Sequence, residues 1–519
     1  MVSGFAALVA VSSLLLLVNF DLVRRIPPLG DDYMLLQWES GDIFRRFMDE
    51  YGWGARPLGI ALLDLLYTAA RAMDDRVIWV VATVRTVSLV AIYSTVRLVF
   101  KSPFPIAVLV TILFALMPTS VEAWTMLNVA HQALSVGFVA VACGFYASLL
   151  WQERDPTLRV ILIPLGAQIV AYLMYEQALL AIPAFVLVLA LFRARSELAG
   201  RRQAVIVVVV SSVAAAMWLG VMLGSGYVAA RTGPDTSAHA AQFSVFAGAA
   251  ERLWMGFVQH HVWRVVEIGR GAATGWLKLT PGALVSAMAL GLLIVATYRY
   301  LASFRLQKVV GSGPRLRVAG RVPLIVACLA ASYAAMLPQA LASPGVPLVS
   351  RMFYLPGFFL AFGIALSIGA LASWRPLVAA VTAVLLIAWS GLAQRKYLSE
   401  MAAGAALTRA AAAVVADLPD TIRTGSVLVV APDVFGTFST PAVQSWGLRG
   451  VIQQTRSGQL PVGVLYFAAS CDQALSPSGA IRDERNHLIG GVSFRAVVAY
   501  TGERFRIGRT VTEACFGAS

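Results

Sequence analysis

The chain is 519 residues long, 59% hydrophobic and only 13% charged, with a mean hydropathy of +0.75. Soluble domains carry about 25% charged residues, so half that charge, together with repeated apolar runs of about 20 residues, excludes one oversized water-soluble core and demands membrane spans. The formal charge of +14 does not point to nucleic acid, because the basic residues fall mainly between the apolar runs, where they set topology.

The first apolar run is 4–20. It lacks a basic leading segment and an A-x-A cleavage site, so it reads as an uncleaved first helix rather than a signal peptide. Further runs lie near 77–99, 103–118, 128–150, 159–174, 177–192, 203–224, 282–299, 322–341, 354–372 and 376–394. They predict a polytopic α-helical membrane protein of about eleven spans. Runs 159–174 and 177–192 are short and separated by Tyr175-Glu176 alone; they form either a hairpin or one broken element.

Charge orients the spans. Alternate connectors carry Arg97 and Lys101, then Arg154 and Arg159, then Arg193, Arg195, Arg201 and Arg202, then Arg305, Lys308, Arg315, Arg317 and Arg321, then Arg375. The opposite short connectors, 119–127, 175–176 and 342–353, hold Arg351 as their single basic residue. Positive loops stay cytoplasmic. The N-terminus is therefore expected inside, with 21–76, 225–281 and 395–519 outside. Arg24 and Arg25 run against this order and are outweighed by the later loops.

Within the first outer loop, 41–49 and 57–72 predict helices too polar or too short to span. In 57–72, Leu58, Ala61, Leu62, Leu65 and Leu66 recur at helical spacing around Asp64 and Arg71, as in an amphipathic helix lying in the interface. Segment 251–278 is similar, with Trp254, Trp263 and Trp276 as interface anchors. From 395 the composition turns to Ser, Thr, Gly, Pro and Asp with short β-like runs at Ser426–Val430 and Val462–Phe467. This predicts a small extracytoplasmic α/β or mainly β domain over 395–519. The four cysteines form no CxxC and no metal spacing. Cys143 and Cys328 lie in apolar runs as packing residues. Cys471 and Cys515 lie in the tail, where an oxidising compartment permits a disulfide; closing that loop is worth about 4 kcal/mol in the chain-entropy model. There is no internal repeat.

Five motifs could carry chemistry. Gly30-Asp31-Asp32-Tyr33 places two carboxylates near a membrane surface, where they bind a cation, act as a base, or are turn-forming residues of a solvated loop. Gly54-Ala55-Arg56-Pro57 places Arg56 just before a proline suited to a first helical turn; Arg56 faces a phosphate or anchors the interface. Pro118-Thr119-Ser120-Val121-Glu122-Ala123-Trp124 is followed by Asn128 and His131. Glu122 is a site acid or a dipole-favoured cap, and His131 reads as a hydrogen-bonded bundle histidine. In Tyr175-Glu176-Gln177, Glu176 interrupts a long apolar stretch, a costly placement that marks a functional candidate; the alternative is a charged cap at a hairpin. Ser350-Arg351-Met352-Phe353-Tyr354-Leu355-Pro356 carries the arginine that defies the topology rule, and guanidinium suits phosphate. Asp31, Asp32, Arg56, Glu122, Glu176 and Arg351 come from separate segments, and the topology puts all of them on one side.

Together these motifs resemble the GT-C superfamily of membrane glycosyltransferases. Within it they are similar to the GtrII-type bacterial glucosyltransferases and, more distantly, to the protein mannosyltransferases and aminoarabinose transferases. The resemblance covers about 1–394, which would form the catalytic domain. It implies a polyprenyl-phosphate-linked sugar as donor, an extracytoplasmic glycan, lipid or protein as acceptor, inversion at the anomeric carbon, and a bacterial plasma-membrane location. It implies Asp31 or Asp32 as base, with Asp32 favoured. Arg351 would hold the carrier phosphate, Glu176 and Glu122 would position sugar hydroxyls or Arg351, and Arg56, Tyr175, Tyr354 and His131 would complete the substrate site. Most relatives of that branch need no metal, while the acidic pair leaves a divalent cation open. Competing readings are a transporter or flippase for a lipid-linked saccharide, and a non-catalytic assembly subunit.

Overall fold

A computed structural model describes residues 2–26, 40–51, 56–73, 77–117, 125–151, 158–194, 198–225, 318–342, 353–432, 461–476 and 493–517, with short stretches and single positions between them, Asp32, Leu35 and Leu36 included. Every predicted apolar run except 282–299 coincides with a described helix; that run lies largely outside the described residues. The helices are α1 (Val2–Leu17), α2 (Phe20–Val23), α3 (Asp42–Tyr51), α4 (Pro57–Ala72), α5 (Val77–Ser94), α6 (Phe104–Leu116), α7 (Ala130–Leu150), α8 (Leu158–Met174), α9 (Ala178–Ala194), α10 (Leu198–Gly224), α11 (Val318–Ala342), α12 (Tyr354–Trp374) and α13 (Pro376–Ala416). Among the described residues, five helices are long and apolar enough to cross a membrane. The protein is thus a polytopic helical membrane protein.

Buried backbone in hydrocarbon must find its hydrogen bonds inside the protein, and the interior of the bundle meets this with neutral side chains. Pro183 lies inside α9 and lacks the N–H that would bond the Leu179 carbonyl one turn back. The Tyr172 hydroxyl donates to that carbonyl at 3.3 Å. Gln168, fully buried beside it, accepts from the Tyr146 hydroxyl at 2.6 Å and donates to the Ser211 carbonyl at 2.9 Å. At the end of α6, where the last carbonyls have no helical partner, the Gln394 amide donates to the Ala115 carbonyl at 2.8 Å. Cys143 and Cys328 are buried thiols.

The sharpest departure from the sequence reading is α13. The predicted span ends at 394, but the helix continues unbroken to Ala416, 41 residues in all. That is about 60 Å of helix against a hydrocarbon core of about 30 Å. The change of composition at 395 marks a change of surroundings, not of secondary structure, because the Ala-rich stretch beyond it is a strong helix former. The C-terminal part of α13 packs Leu407, Ala411, Ala412 and Val415 onto a sheet. Its strands are β1 (Val427–Val430), β4 (Leu465–Ala468), β5 (Arg482–Asp483), β6 (Ala496–Tyr500) and β7 (Phe505–Gly508), in the order β5-β4-β1-β6-β7; β2 (Val434–Phe435) and β3 (Thr440–Pro441) pair separately. β1 runs parallel to β4 and β6, and both edges are antiparallel. All four β1 residues are buried, as a central strand covered on both faces requires. On the face opposite α13 lie α15 (Cys471–Leu475) and α16 (Val511–Phe516), joined by a Cys471–Cys515 disulfide; the single turn α14 (Asp420–Arg423) precedes β1.

Candidate active site

The end of the bundle from which α13 projects gathers the polar side chains. α4 begins there. Pro57 takes its first turn, and the ring of a proline excludes the right-handed helical region for the residue before it. Arg56 adopts φ 56°, ψ 55°, a left-handed conformation that costs a non-glycine residue about 1–3 kcal/mol. That turn carries the guanidinium toward the α8–α9 connection. There Arg56 Nη2 donates to Glu176 Oε1 at 2.5 Å, and Nε lies 2.5 Å from Oε2. The two side chains are 17% and 14% exposed, so the pair is largely shielded from solvent screening. Arg56 Nη1 also lies 3.2 Å from His131 Nε2; a guanidinium only donates, so the ring nitrogen accepts. The Tyr175 ring faces the guanidinium carbon at 5.1 Å and meets the His131 ring edge-on at 6.1 Å. Gly59 permits this assembly. A methyl group there would sit 2.7 Å from the Met174 carbonyl and 3.2 Å from His131 Cδ2.

Asp32 forms a second cluster on Leu127 and Asn128, about one turn before His131 in the chain. It is fully buried. Its Oδ1 accepts from the Asn128 N–H at 3.0 Å and from the Tyr67 hydroxyl in a short contact, and its Oδ2 accepts from the Leu127 N–H at 3.2 Å. Those N–H groups open the turn that leads into α7, where unsatisfied donors and the helix dipole favour an anion. The carboxylate therefore ties the loop after the first span to α4 and α7. Asp64, noted in the amphipathic pattern, is likewise an anchor: it accepts from Gly41 N–H at 3.1 Å and Phe44 N–H at 3.4 Å, at the start of α3.

The structure thus brings together Arg56, His131, Tyr175 and Glu176, and places Asp32 beside them through Leu127, Asn128 and His131 of one short segment. Tyr354 makes other contacts. It is buried at the start of α12 against Phe114, with ring centroids 4.8 Å apart, and its ring faces the Arg85 guanidinium at 5.0 Å. Asp31, Glu122, Arg351 and segment 251–278 lie outside the described residues. Three contributors are missing from the sequence reading. Tyr67 lies opposite the predicted apolar stripe of α4, on the face that is buried with Ile60, Leu63 and Asp64, and carries no distinguishing signal. The donors of Leu127 and Asn128 are backbone groups. Arg85 carried a signal: a cation inside run 77–99 falls under the same cost argument as Glu176. It is fully buried, and the adjacent turn of α5 binds α7 through the Ser88 hydroxyl and the Ala133 carbonyl at 2.5 Å. Among the described residues, no three His, Cys, Asp or Glu side chains converge as a metal site.

No protein-family model matches the chain, and no curated protein matches it. Among solved structures, it is similar to the cryo-EM structure of the arabinofuranosyltransferase AftD from Mycobacteria, at 14% identity and a TM-score of 0.45, over 88% of this chain and 31% of that one. The chain spans less than a third of that protein's length.

Proposed function

We propose that the chain is a membrane glycosyltransferase that moves a sugar from a polyprenyl-phosphate donor to an extracytoplasmic glycan, lipid or protein acceptor. The observation that carries this reading is the convergence of Asp32, Arg56, His131, Tyr175 and Glu176, from separate parts of the sequence, at one end of the bundle. Charged groups at membrane depth are costly and mark functional sites. The Cys471–Cys515 bond suits an oxidising compartment and supports an extracytoplasmic side for that end.

The roles follow from chemistry. The acceptor hydroxyl gives its proton to a carboxylate of the acidic pair as its oxygen bonds to the anomeric carbon. The bond from that carbon to the carrier phosphate breaks, and the phosphate keeps the electron pair. Arg351 stabilises the charge that develops on it. Asp32 is buried under at least three donors, an arrangement that suits an anchor better than a proton acceptor. The base role therefore passes to Asp31. Arg56, held by Glu176, fixes the start of α4 beside the reacting groups.

The test is transfer in nanodiscs with a panel of radiolabelled polyprenyl-phosphate sugars. Wild type is compared with Asp31→Asn, Asp32→Asn and Arg351→Ala. Loss of transfer and of donor hydrolysis in Asp31→Asn and Arg351→Ala, with partial activity in Asp32→Asn, is the expected result. Turnover unchanged by all three substitutions would overturn the site assignment.

A further inference from the structure

The first span breaks at Asn19. α1 stops at Leu17 and the chain resumes as α2, leaving a cavity of about 330 Å³ between α1, α5 and α13. This volume lies in the range of small-ligand sites. Its walls are almost wholly apolar and include Leu16, Phe20, Val23, Trp79, Ala82 and Leu398. Leu17, also in the wall, is 41% exposed and Trp79 is 48% exposed, so the cavity opens on the bundle's periphery, where lipid chains lie. It shares no residue with the candidate active site.

Two polar features frame it. Asn19 lines the cavity and is 4% exposed; its amide donates to Gln394 Oε1 at 2.8 Å, but its own Oδ1 is buried with no hydrogen-bond partner among the described residues. A buried acceptor left unmatched is destabilising, and this one would be satisfied by a donor entering the cavity. Immediately beyond Val23 stand Arg24 and Arg25, both exposed and neither paired with an acid among the described residues. These are the two cations that the charge rule for membrane topology leaves unexplained.

The geometry points to a bound anionic phospholipid. One acyl chain fills the cavity, a hydroxyl of the headgroup donates to Asn19 Oδ1, and the phosphate lies between Arg24 and Arg25, where guanidinium matches it in charge and shape. The site sits at the root of the projecting helix. Gln394 joins Asn19 to the end of α6, and Arg395 grips the Asp21 carboxylate with contacts of 3.1 and 2.9 Å. A lipid there fastens α1 and α5 to the helix that carries the C-terminal domain, and binding to the folded state alone raises its stability. The inference does not depend on glycosyl transfer.

Full-length protein, stripped of lipid in detergent, is titrated with phosphatidylglycerol, phosphatidylcholine, polyprenyl phosphate or inorganic phosphate. Native mass spectrometry and thermal unfolding are the readouts. Phosphatidylglycerol is expected to give a retained adduct and raise the midpoint by several degrees, and the other three to do neither. Arg24→Ala with Arg25→Ala abolishes the preference over phosphatidylcholine. Ala82→Phe fills the cavity and abolishes the adduct while the lipid-free protein unfolds no earlier than wild type. Equal responses to both phospholipids, a response to polyprenyl phosphate alone, or an undiminished phosphatidylglycerol response in Ala82→Phe would each overturn the assignment.

Discussion

The helical bundle and the C-terminal domain face the same problem of unmatched backbone carbonyls and solve it with different side chains. In the interior of the bundle the donors are neutral: Tyr172 serves the carbonyl freed by Pro183, and Gln394 serves the end of α6; arginines do so at helix ends and loops, Arg71 for Leu35, Arg97 for Ser102 and Arg201 for Ala194. In the domain, beside hydroxyls such as that of Tyr500 on the Gly502 carbonyl, guanidiniums serve too. Arg423 donates to the carbonyls of Ala416, Leu418 and Pro461, Arg449 to those of Val462 and Gly463, and Arg495 to that of Thr421. A charge is affordable beside water and expensive in hydrocarbon, so a neutral amide or hydroxyl is the cheaper repair inside a membrane. The difference teaches how to read the charges the bundle does contain. Arg56 and Glu176 hold each other, and Arg56 also meets His131 and the Tyr175 ring. Asp32 is the instructive exception, since a neutral Asn could cap the same N–H groups.

The hardest test of that contrast is to break the Arg56–Glu176 pair. Removing one partner leaves a largely buried charge without its counterion, which costs about 3–5 kcal/mol. Glu176→Ala should therefore lower the unfolding midpoint sharply and abolish transfer. The double variant Arg56→Met with Glu176→Leu restores apolar packing. It should recover most of the stability and none of the activity, as read by thermal unfolding and transfer in the same preparation. Recovered activity would mean that the pair is scaffolding.

The domain's version of the contrast predicts a smaller loss. Arg423 is 4% exposed at its side chain, and Arg423→Met strands three carbonyls that it now serves. The expected cost is about 2–3 kcal/mol, visible as faster hydrogen exchange in β1 and β6 with the bundle unaffected. In the bundle, Tyr172→Phe removes a single neutral donor. Hydrogen bonds between helices in membranes average about 0.6 kcal/mol, so only a small drop in midpoint is expected. A loss as large as that of Arg423→Met would erase the distinction between the two regions.

How much of this was legible follows from what each feature requires. Spans are readable because a bilayer accepts only long apolar helices, and α4 because its apolar stripe repeats at helical spacing. Glu176 was readable as a charge in an apolar stretch, but its partner was not: Arg56 is 120 residues away, and no local pattern encodes that distance. Asp32 in a solvated loop and Asp32 locked under Tyr67 have the same neighbours in sequence, so its burial was invisible. The continuation of α13 was hidden because composition reports the medium around a helix more strongly than its end.

The smallest expected effect tests the contrast from its weak side. Arg423 also forms a close ion pair with Asp420, and a count of charges would give that pair the credit for the domain's stability. Asp420, however, is 80% exposed, and a pair with one partner in water is worth at most about 1 kcal/mol, with many contributing nothing measurable. Asp420→Asn keeps the acceptor and leaves the carbonyl contacts of Arg423 in place. Hydrogen exchange in β1 should then change by less than about 0.5 kcal/mol. If Asp420→Asn instead matched Arg423→Met, the guanidinium would be held by its counterion and not by the backbone, and the domain would use charge as the bundle does at Arg56.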